Sequence, residues 1–327
     1  MRRAVCLNVG KLDYKLPALS WEPISKICSL TKHSSTDGAD SAAIVERSSG
    51  AEVLIIKEMT LDAATIASLD SSVSLICEAG TGYNNIDLVA ARERNIAVCN
   101  IPDYSSEAVA TVVMTAILNF SGSILQNVVE TKTSIEGREK FRMEGYQRPL
   151  FELRGKRLGL IGGNGTIGKK VTAMAAPFGL DVVVTSRSGN VGPGQTNVSM
   201  EELLKTSDFV SFHAPLNEAT RGMMGREQFE LMKESAYFIN TARGGVVKQA
   251  ELINCLQSNK IAGAFLDVQG PPEPPEIDDP IYDCPNLFMS PHIGWQRTES
   301  RQRLINMVAD NIEKFFDEGC DSINVVN

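Results

Sequence analysis

The run KRLGLIGGNGTIGKK at residues 156–170 constrains this chain more than any other stretch. An apolar strand, a glycine turn and a helix start follow one another without a spacer, and Gly163, Gly165 and Gly168 give the spacing G-x-G-x-x-G. In such a turn the first glycine permits the tight bend and the second lets a pyrophosphate approach the backbone. The third lets helix and strand pack closely, with the phosphates at the helix N-terminus. Thr166 and Ile167 fall inside the same turn and count with the glycines as candidate cofactor contacts. The spacing alone recurs by chance in many chains. Here it follows a predicted strand, opens a helix and begins a series of strands, which is the context that gives it meaning. Gly162 precedes the motif and predicts a turn one residue longer than usual.

The series reads Arg157–Ile161, Asp181–Thr185, Phe209–His213, Tyr237–Asn240, Gly263–Leu266 and Leu287–Met289, with helical patterns between the early members. An earlier series reads Val5–Val9, Val53–Ile56, Val73–Cys77 and Ile96–Cys99, with a helix over Asn85–Arg94. Short apolar strands alternating with helices signal α/β with parallel sheets. The fold class is therefore two Rossmann-like, doubly wound domains with an interdomain cleft. Residues 104–295 form the NAD(P)-binding domain; residues 1–103 with 296–327 form a flavodoxin-like substrate domain. Ser199 and Glu202 make an S-x-x-E capping box. Ser106–Phe120 is apolar on most faces and reads as a buried helix, followed by an irregular arm; Thr298–Phe316 is amphipathic. The biased segment GPPEPPEIDDP at 270–280 reads as a rigid loop.

A net charge of −8 over 327 residues argues against nucleic acid or an anionic membrane surface as a partner. No run of about 18 apolar residues predicts a membrane span. MRRAVCLNVG goes straight into a strand pattern without the apolar core of a secretion signal, so the chain reads as cytoplasmic. Its seven cysteines are scattered, none in a C-x-x-C pair, and read as reduced, buried small hydrophobes with no metal site.

An NAD site usually carries an acid about 20 residues beyond the glycines, gripping the ribose 2′-hydroxyl. This chain has VVVTSRSGN at 182–190 instead. Ser186 and Arg187 suit a 2′-phosphate, which an acid would repel and a guanidinium attracts. NADP(H) is the favoured cofactor; NAD(H), with Arg187 stacked on adenine, is the alternative.

Three polar groups follow three successive strands of the second series. Arg243 stands in INTARGG after Tyr237–Asn240, Glu273 in the loop after Gly263–Leu266, and His292 in SPHIGW after Leu287–Met289. Carboxyl ends of parallel strands are where open α/β sheets bind ligands. Hydride delivered to a ketone leaves charge on oxygen, which calls for a proton donor that titrates near neutrality; histidine suits. A carboxylate orients the imidazole, and an arginine binds a substrate carboxylate and polarises the adjacent carbonyl.

With those residues in place, the chain resembles the D-2-hydroxyacid dehydrogenases, and most closely their glycerate dehydrogenase or hydroxypyruvate reductase branch. The resemblance rests on AGTGYNNIDLVAARERNIAVCNIP at 79–102, HAPLNEAT at 213–220, INTARGGVV at 239–247 and SPHIGWQRTESRQRL at 290–304, with LSWEP at 19–23 and the terminal INVVN. Residues 28–50, 121–150 and 186–200 match poorly. The resemblance implies Arg243, Glu273 and His292 as the catalytic set. It implies a substrate carboxylate on the amides near Thr81 and Gly82, with Lys57 nearby and Trp295 closing over the substrate. It implies that Asp267 holds the nicotinamide carboxamide and that His213 and Pro215 line the cofactor site; Thr241, Ala242 and Gly294 join them as cofactor contacts. A homodimer through Ser106–Phe120 and the arm after it is implied in the same way.

The interval from Arg243 to Glu273 is one residue longer than the family pattern, with Glu276 as the alternative acid, and Thr111 stands where relatives often have Glu or Gln. No tyrosine has lysine four residues on, which excludes the short-chain dehydrogenases, and zinc-ligand clusters are absent. The rivals that stay open are a short phosphoglycerate dehydrogenase and a dinucleotide-sensing corepressor of the same fold.

Overall fold

The computed structural model describes residues 1–327 except 14–17, 143–148, 187–188 and 285, and except the side chains of 141 and 142. The chain divides into two compact units, Met1–Ser105 with Gln296–Asn327, and Ser106–Trp295.

The first unit is built on five parallel strands: β1 (Arg2–Cys6), β2 (Cys28–Lys32), β3 (Val53–Ile56), β4 (Leu75–Glu78) and β5 (Ala97–Cys99). Their order is β2-β1-β3-β4-β5, the doubly wound order with one switch point beside β1. Val5, Leu54, Ile56, Ile76 and Val98 are fully buried, because a parallel sheet is covered on both faces. One face receives helices Ser41–Ser48, Ala63–Ser68 and Leu88–Glu93. Each opens on an aspartate, Asp40, Asp62 or Asp87, whose carboxylate accepts from the amide three residues on at 2.8–2.9 Å. The last helix, Thr298–Glu318, returns to this unit, where the Arg303 guanidinium donates to the Tyr104 carbonyl at 2.6 Å.

The second unit holds seven parallel strands: β6 (Arg157–Ile161), β7 (Asp181–Thr185), β8 (Thr196–Asn197), β9 (Phe209–Phe212), β10 (Tyr237–Asn240), β11 (Gly263–Leu266) and β12 (Leu287–Met289). The order β12-β11-β10-β9-β6-β7-β8 puts the switch point between β6 and β9. Helices Ser106–Gly122 and Thr166–Ala175 pack on one face around Val113, Ile117, Val171 and Ile239; Met200–Thr206, Arg226–Leu231 and Gln249–Gln257 pack on the other around Leu203, Phe229 and Leu252. Of the S-x-x-E box, the Ser199 hydroxyl accepts from the Glu202 amide at 3.1 Å.

Three elements escape the sequence pattern. β2 and β8 are edge strands, CSLTK and TN, half-exposed and without an apolar run. The arm after Gly122 is not irregular: it forms helices Ile124–Thr133 and Ile135–Arg142. Its described large apolar residues face outward, with Ile124 63 %, Val129 49 % and Ile135 73 % exposed, and these show no inward stripe of the kind that marks a helix packed on its own domain. β1 also ends at Cys6 rather than Val9, because Val9–Lys11 turns into a single 3-10 coil. No single helix among the described residues is long and apolar enough to cross a membrane. Six of the seven cysteines are buried, all are reduced, and Cys77 and Cys99, partners across β4 and β5, have sulfurs 3.4 Å apart.

Candidate active site

The glycine turn sits at the carboxyl end of β6, beside the switch point. Gly162 carries the left-handed backbone, at φ +76°, so the bend falls one residue before the G-x-G-x-x-G spacing and not at Gly163. Gly163 serves packing instead: a Cβ there would stand 2.6 Å from both Leu160 and Val184. At Gly168 a Cβ would stand 2.3 Å from the Gly163 carbonyl, so the helix can approach its own strand only through glycine. Gly165 is the N-cap of Thr166–Ala175, and its nearest neighbour to an added Cβ is the Gly162 carbonyl oxygen at 3.5 Å. An open backbone at a helix N-terminus, flanked by two closed positions, is a cradle for a pyrophosphate.

Around the same edge lie buried polar atoms that no described residue satisfies. His213 follows β9, its amide donating to the Ile161 carbonyl at 2.8 Å, while both ring nitrogens are buried without a partner among the described residues. Burial pushes the imidazole down to about 4, so it is neutral at ordinary pH. The Thr241 hydroxyl, after β10, is likewise buried and unpartnered. Such atoms cost free energy unless a ligand or water meets them, and their place at the glycine edge fits a dinucleotide. Pro215 is exposed, and the Ala242 amide is held by the Asn240 side chain at 3.0 Å. The Ser186 amide donates to Asn197 on β8 at 3.2 Å; Arg187 lies outside the described residues.

The three candidate residues for the chemistry follow β10, β11 and β12, three neighbouring strands. Glu273 and His292 meet: Oε1 lies 3.1 Å from Nδ1, with the side chains 32 % and 23 % exposed. A carboxylate at Nδ1 fixes the ring and leaves Nε2 as the other proton-carrying atom. Of the two acids in this loop, Glu273 is the one the structure brings to the histidine. Arg243 is half-buried, its guanidinium donating to the Ala242 carbonyl at 2.7 Å and its own carbonyl accepting from Asn240 Nδ2 at 2.9 Å. Gly244 behind it is obligatory, since a Cβ would stand 1.4 Å from the Gln269 carbonyl oxygen. The loops after β10 and β11 touch backbone to backbone at that point.

His292 has φ +52°, a left-handed conformation that costs on the order of 1 kcal/mol outside glycine. Asp267, at the end of β11 and 2 % exposed, holds it there. Its Oδ1 accepts from the Ser290 hydroxyl at 2.6 Å and the Ile293 amide at 2.9 Å, and its Oδ2 accepts from the Gly294 amide at 2.8 Å. Its backbone carbonyl takes the His292 amide at 2.9 Å. Gln269 adds a bond from its side chain to the Ser290 carbonyl at 3.2 Å. This clasp was not legible in the sequence: its partners are more than 20 positions apart, and nothing local marks Asp267 or Gln269 for it. Gly294 has no room for a side chain, a Cβ standing 2.6 Å from Asp267 Oδ2, and Trp295 is buried at 5 %.

In the first unit, Thr81 and Gly82 lie on the loop after β4, Thr81 exposed and Gly82 half-buried. The loop is pinned by the Thr81 hydroxyl on the Ile101 carbonyl at 3.0 Å and by Asn100 on the Thr81 carbonyl at 2.6 Å. The Thr81 and Gly82 amides donate to no acceptor among the described residues. Lys57, at the end of β3, is 2 % exposed and bonds Glu58 at 2.6 Å.

Residues 121–294 match the family described as D-isomer specific 2-hydroxyacid dehydrogenase, NAD binding domain. The chain is 34 % identical to a glycerate dehydrogenase of Methylorubrum extorquens over 274 residues, 83 % of this chain and 85 % of that one. It is 29 % identical to a hydroxypyruvate reductase of Blautia hydrogenotrophica over 98 % of its length and 97 % of the relative's. Among solved structures, an acyclic imino acid reductase in complex with NADPH and D-Arg superposes with a TM-score of 0.84 at 26 % identity, over 99 % of this chain and 100 % of that one. The matched family model is described as NAD binding and the imino acid reductase holds NADPH, and a nicotinamide dinucleotide is the cofactor that fits the glycine cradle described above. The chain belongs to the D-isomer specific 2-hydroxyacid dehydrogenases, oxidoreductases that interconvert small 2-keto and 2-hydroxy acids with a nicotinamide cofactor.

Proposed function

We propose that this enzyme reduces a short 2-keto acid, hydroxypyruvate or glyoxylate, with NADPH as the preferred donor, and that it does so in the cytoplasm. The observation that carries the reading is the 3.1 Å contact between Glu273 and His292 at the carboxyl edge of the sheet, next to the strand that bears Arg243. Relatives named glycerate dehydrogenase, hydroxypyruvate reductase and glyoxylate reductase support the substrate class. The missing acid after β7 supports NADPH.

When bound, the nicotinamide supplies the hydride. Gly165 with Thr166 and Ile167 would seat the pyrophosphate, Gly163 and Gly168 letting helix and strand close around it, and Ser186 and Arg187 would serve the ribose. His213, Pro215, Thr241, Ala242 and Gly294 line the rest of the dinucleotide. Arg243 pairs with the substrate carboxylate and polarises the keto oxygen. In the first unit the Thr81 and Gly82 amides would offer donors to a carboxylate, with Lys57 behind them, and in the second Trp295 would exclude water. His292 donates the proton from Nε2 to the developing alkoxide while Glu273 holds Nδ1. Asp267, whose carboxylate already holds three loop donors, would be the residue to take the nicotinamide carboxamide. A second copy of the chain covers the exposed face of Ile124–Thr133 and Ile135–Arg142; sedimentation at micromolar concentration reads the resulting mass.

The test follows absorbance of reduced nicotinamide with each keto acid and each cofactor. His292→Gln lowers kcat by about 10²–10⁴-fold, the usual contribution of a positioned acid, and leaves cofactor affinity in place. Wild-type turnover in that variant, or no oxidation with any short 2-keto acid in the parent, refutes the assignment.

A further inference from the structure

Behind the Gly80–Gly82 loop Lys57 meets a carboxylate, Glu78, that the reaction scheme above does not use. Glu78, the last residue of β4, is fully buried. Its Oε1 accepts from the Glu58 amide at 3.1 Å and its Oε2 from Asn85 Nδ2 at 2.9 Å. Asn85 also donates to the Met59 carbonyl at 2.7 Å, so one carboxylate and one amide stitch the segment after β3 to the segment after β4. A Cβ on Gly80 would stand 3.0 Å from Lys57 Nζ and 3.1 Å from Glu78 Oε1; ammonium and carboxylate both lie against the loop backbone. Asn8, after β1, fixes Lys57 by accepting from its amide at 3.0 Å and donating to its carbonyl at 2.6 Å.

We propose that Glu78 positions the anion-binding loop and sets its charge. Through the Glu58 amide, Asn85 and Lys57 it holds Gly80–Gly82 in place, and its own protonation decides how strongly the loop takes a carboxylate. The inference rests on the reading that the Thr81 and Gly82 amides receive the keto-acid carboxylate.

The charges that face one another are Lys57 and Glu58 after β3, Glu78 on β4 and Tyr104 beyond β5, with Lys11 reaching the Glu58 carbonyl at 3.3 Å. Burial alone would lower Lys57, but Tyr104, Glu58 and Glu78 outweigh it and keep the ammonium charged. Burial raises Glu78 to about 7 against the opposing pull of Lys57 and Asn85. Below that pH the Lys57, Glu58 and Glu78 set is neutral; above it the set carries one net negative charge beside the loop. An anion therefore binds more weakly as pH rises through 7. One charge about 10 Å away at an effective dielectric near 20 is worth roughly tenfold in affinity.

The experiment measures KM for glyoxylate, and by calorimetry the Kd of oxamate in the presence of NADH, at intervals from pH 6 to pH 8.5. The parent weakens roughly tenfold over that range in both quantities. Glu78→Gln is flat in both, while its kcat keeps the parent's pH profile. A pH-independent oxamate Kd in the parent overturns the proposal whether or not the variant folds, and a Glu78→Gln profile that still follows the parent overturns it as well. A parent that neither turns over glyoxylate nor binds oxamate refutes the reading of the loop itself, and this inference falls with it.

Discussion

Asp267→Asn is the sharpest probe of how His292, the proposed proton donor, is held. The carboxylate accepts three hydrogen bonds from the loop bearing His292, at 2.6, 2.9 and 2.8 Å. Bonds to a charged acceptor contribute about 1.5–3 kcal/mol each. With its amide oxygen in the Oδ1 position, asparagine keeps the Ser290 and Ile293 donors at roughly half strength and turns an NH2 toward the Gly294 amide. That bond is lost and a buried donor is left bare. The gross loss is about 4 kcal/mol; removing a buried charge returns part of it, for a net destabilisation of about 2–3 kcal/mol.

In a domain of 150–250 residues this lowers Tm by about 5–10 °C. The left-handed His292 loses its restraint at the same time, and a displacement of about 1 Å costs roughly 10²-fold in kcat. Calorimetry reads the first effect, turnover the second, and amide exchange at Ile293 and Gly294 shows whether the loop has come loose. Glu273→Gln is the comparison. It breaks a contact between side chains 32 % and 23 % exposed, worth less than about 1 kcal/mol of stability, yet it lowers kcat by a similar factor. If Asp267→Asn keeps both Tm and kcat, the carboxylate does not hold the loop and the reasoning fails.

Gly244→Ala places a methyl 1.4 Å from a backbone oxygen, so the β10 and β11 loops must part. The expected loss exceeds about 3 kcal/mol, read as a fall in the denaturation midpoint or in soluble yield. His213 is pushed down to about 4 from 6.5, so its unfolded form takes up a proton first. The stability it contributes is complete above pH 6.5 and is lost as pH falls through 4, by up to about 3 kcal/mol. Glu78, raised to about 7 from 4.5, works in the opposite sense, its contribution being complete below pH 4.5 and lost as pH rises through 7. The two nearly cancel in the parent, and His213→Gln makes stability rise as urea titrations move from pH 7 to pH 4.5.

The candidate residues could be picked out because each sits in a local signal. A glycine turn between strand and helix, Arg-Gly-Gly after an apolar strand and Pro-His-Ile-Gly after another are all contained in a few residues. Central strands were legible for the same reason, since burial on both faces writes a continuous apolar run. What stayed hidden has no local expression. β2 and β8 are edges whose faces are half-wet, and the arm helices turn their apolar side outward. Gly162 rather than Gly163 takes the left-handed bend, which the spacing of glycines alone does not distinguish. The supports, Asp267 to Gly294 and Glu78 to Asn85 and Glu58, join residues that are neighbours only once parallel strands lie side by side.

That last point has a directional consequence. Every strand pair in both sheets is parallel, so all carboxyl ends of a sheet share one edge and all amino ends the other. Lys57 and Asn100 follow β3 and β5 and Glu78 ends β4; His213, Arg243, Asp267 and His292 follow β9 to β12. The amino edges carry polar groups too. Asp208, before β9, accepts from the Arg157 amide at 2.8 Å and pairs with Lys233 at 3.1 Å, in a setting as ordered as that of Asp267. The two aspartates differ in which end of a strand they occupy, and the parallel topology assigns them different duties. Asp208→Asn should cost about 1 kcal/mol in stability, with kcat and KM as in the parent. A large loss of turnover there, without a matching fall in Tm, would mean that the amino edge also shapes the reaction and that strand polarity alone does not locate the chemistry.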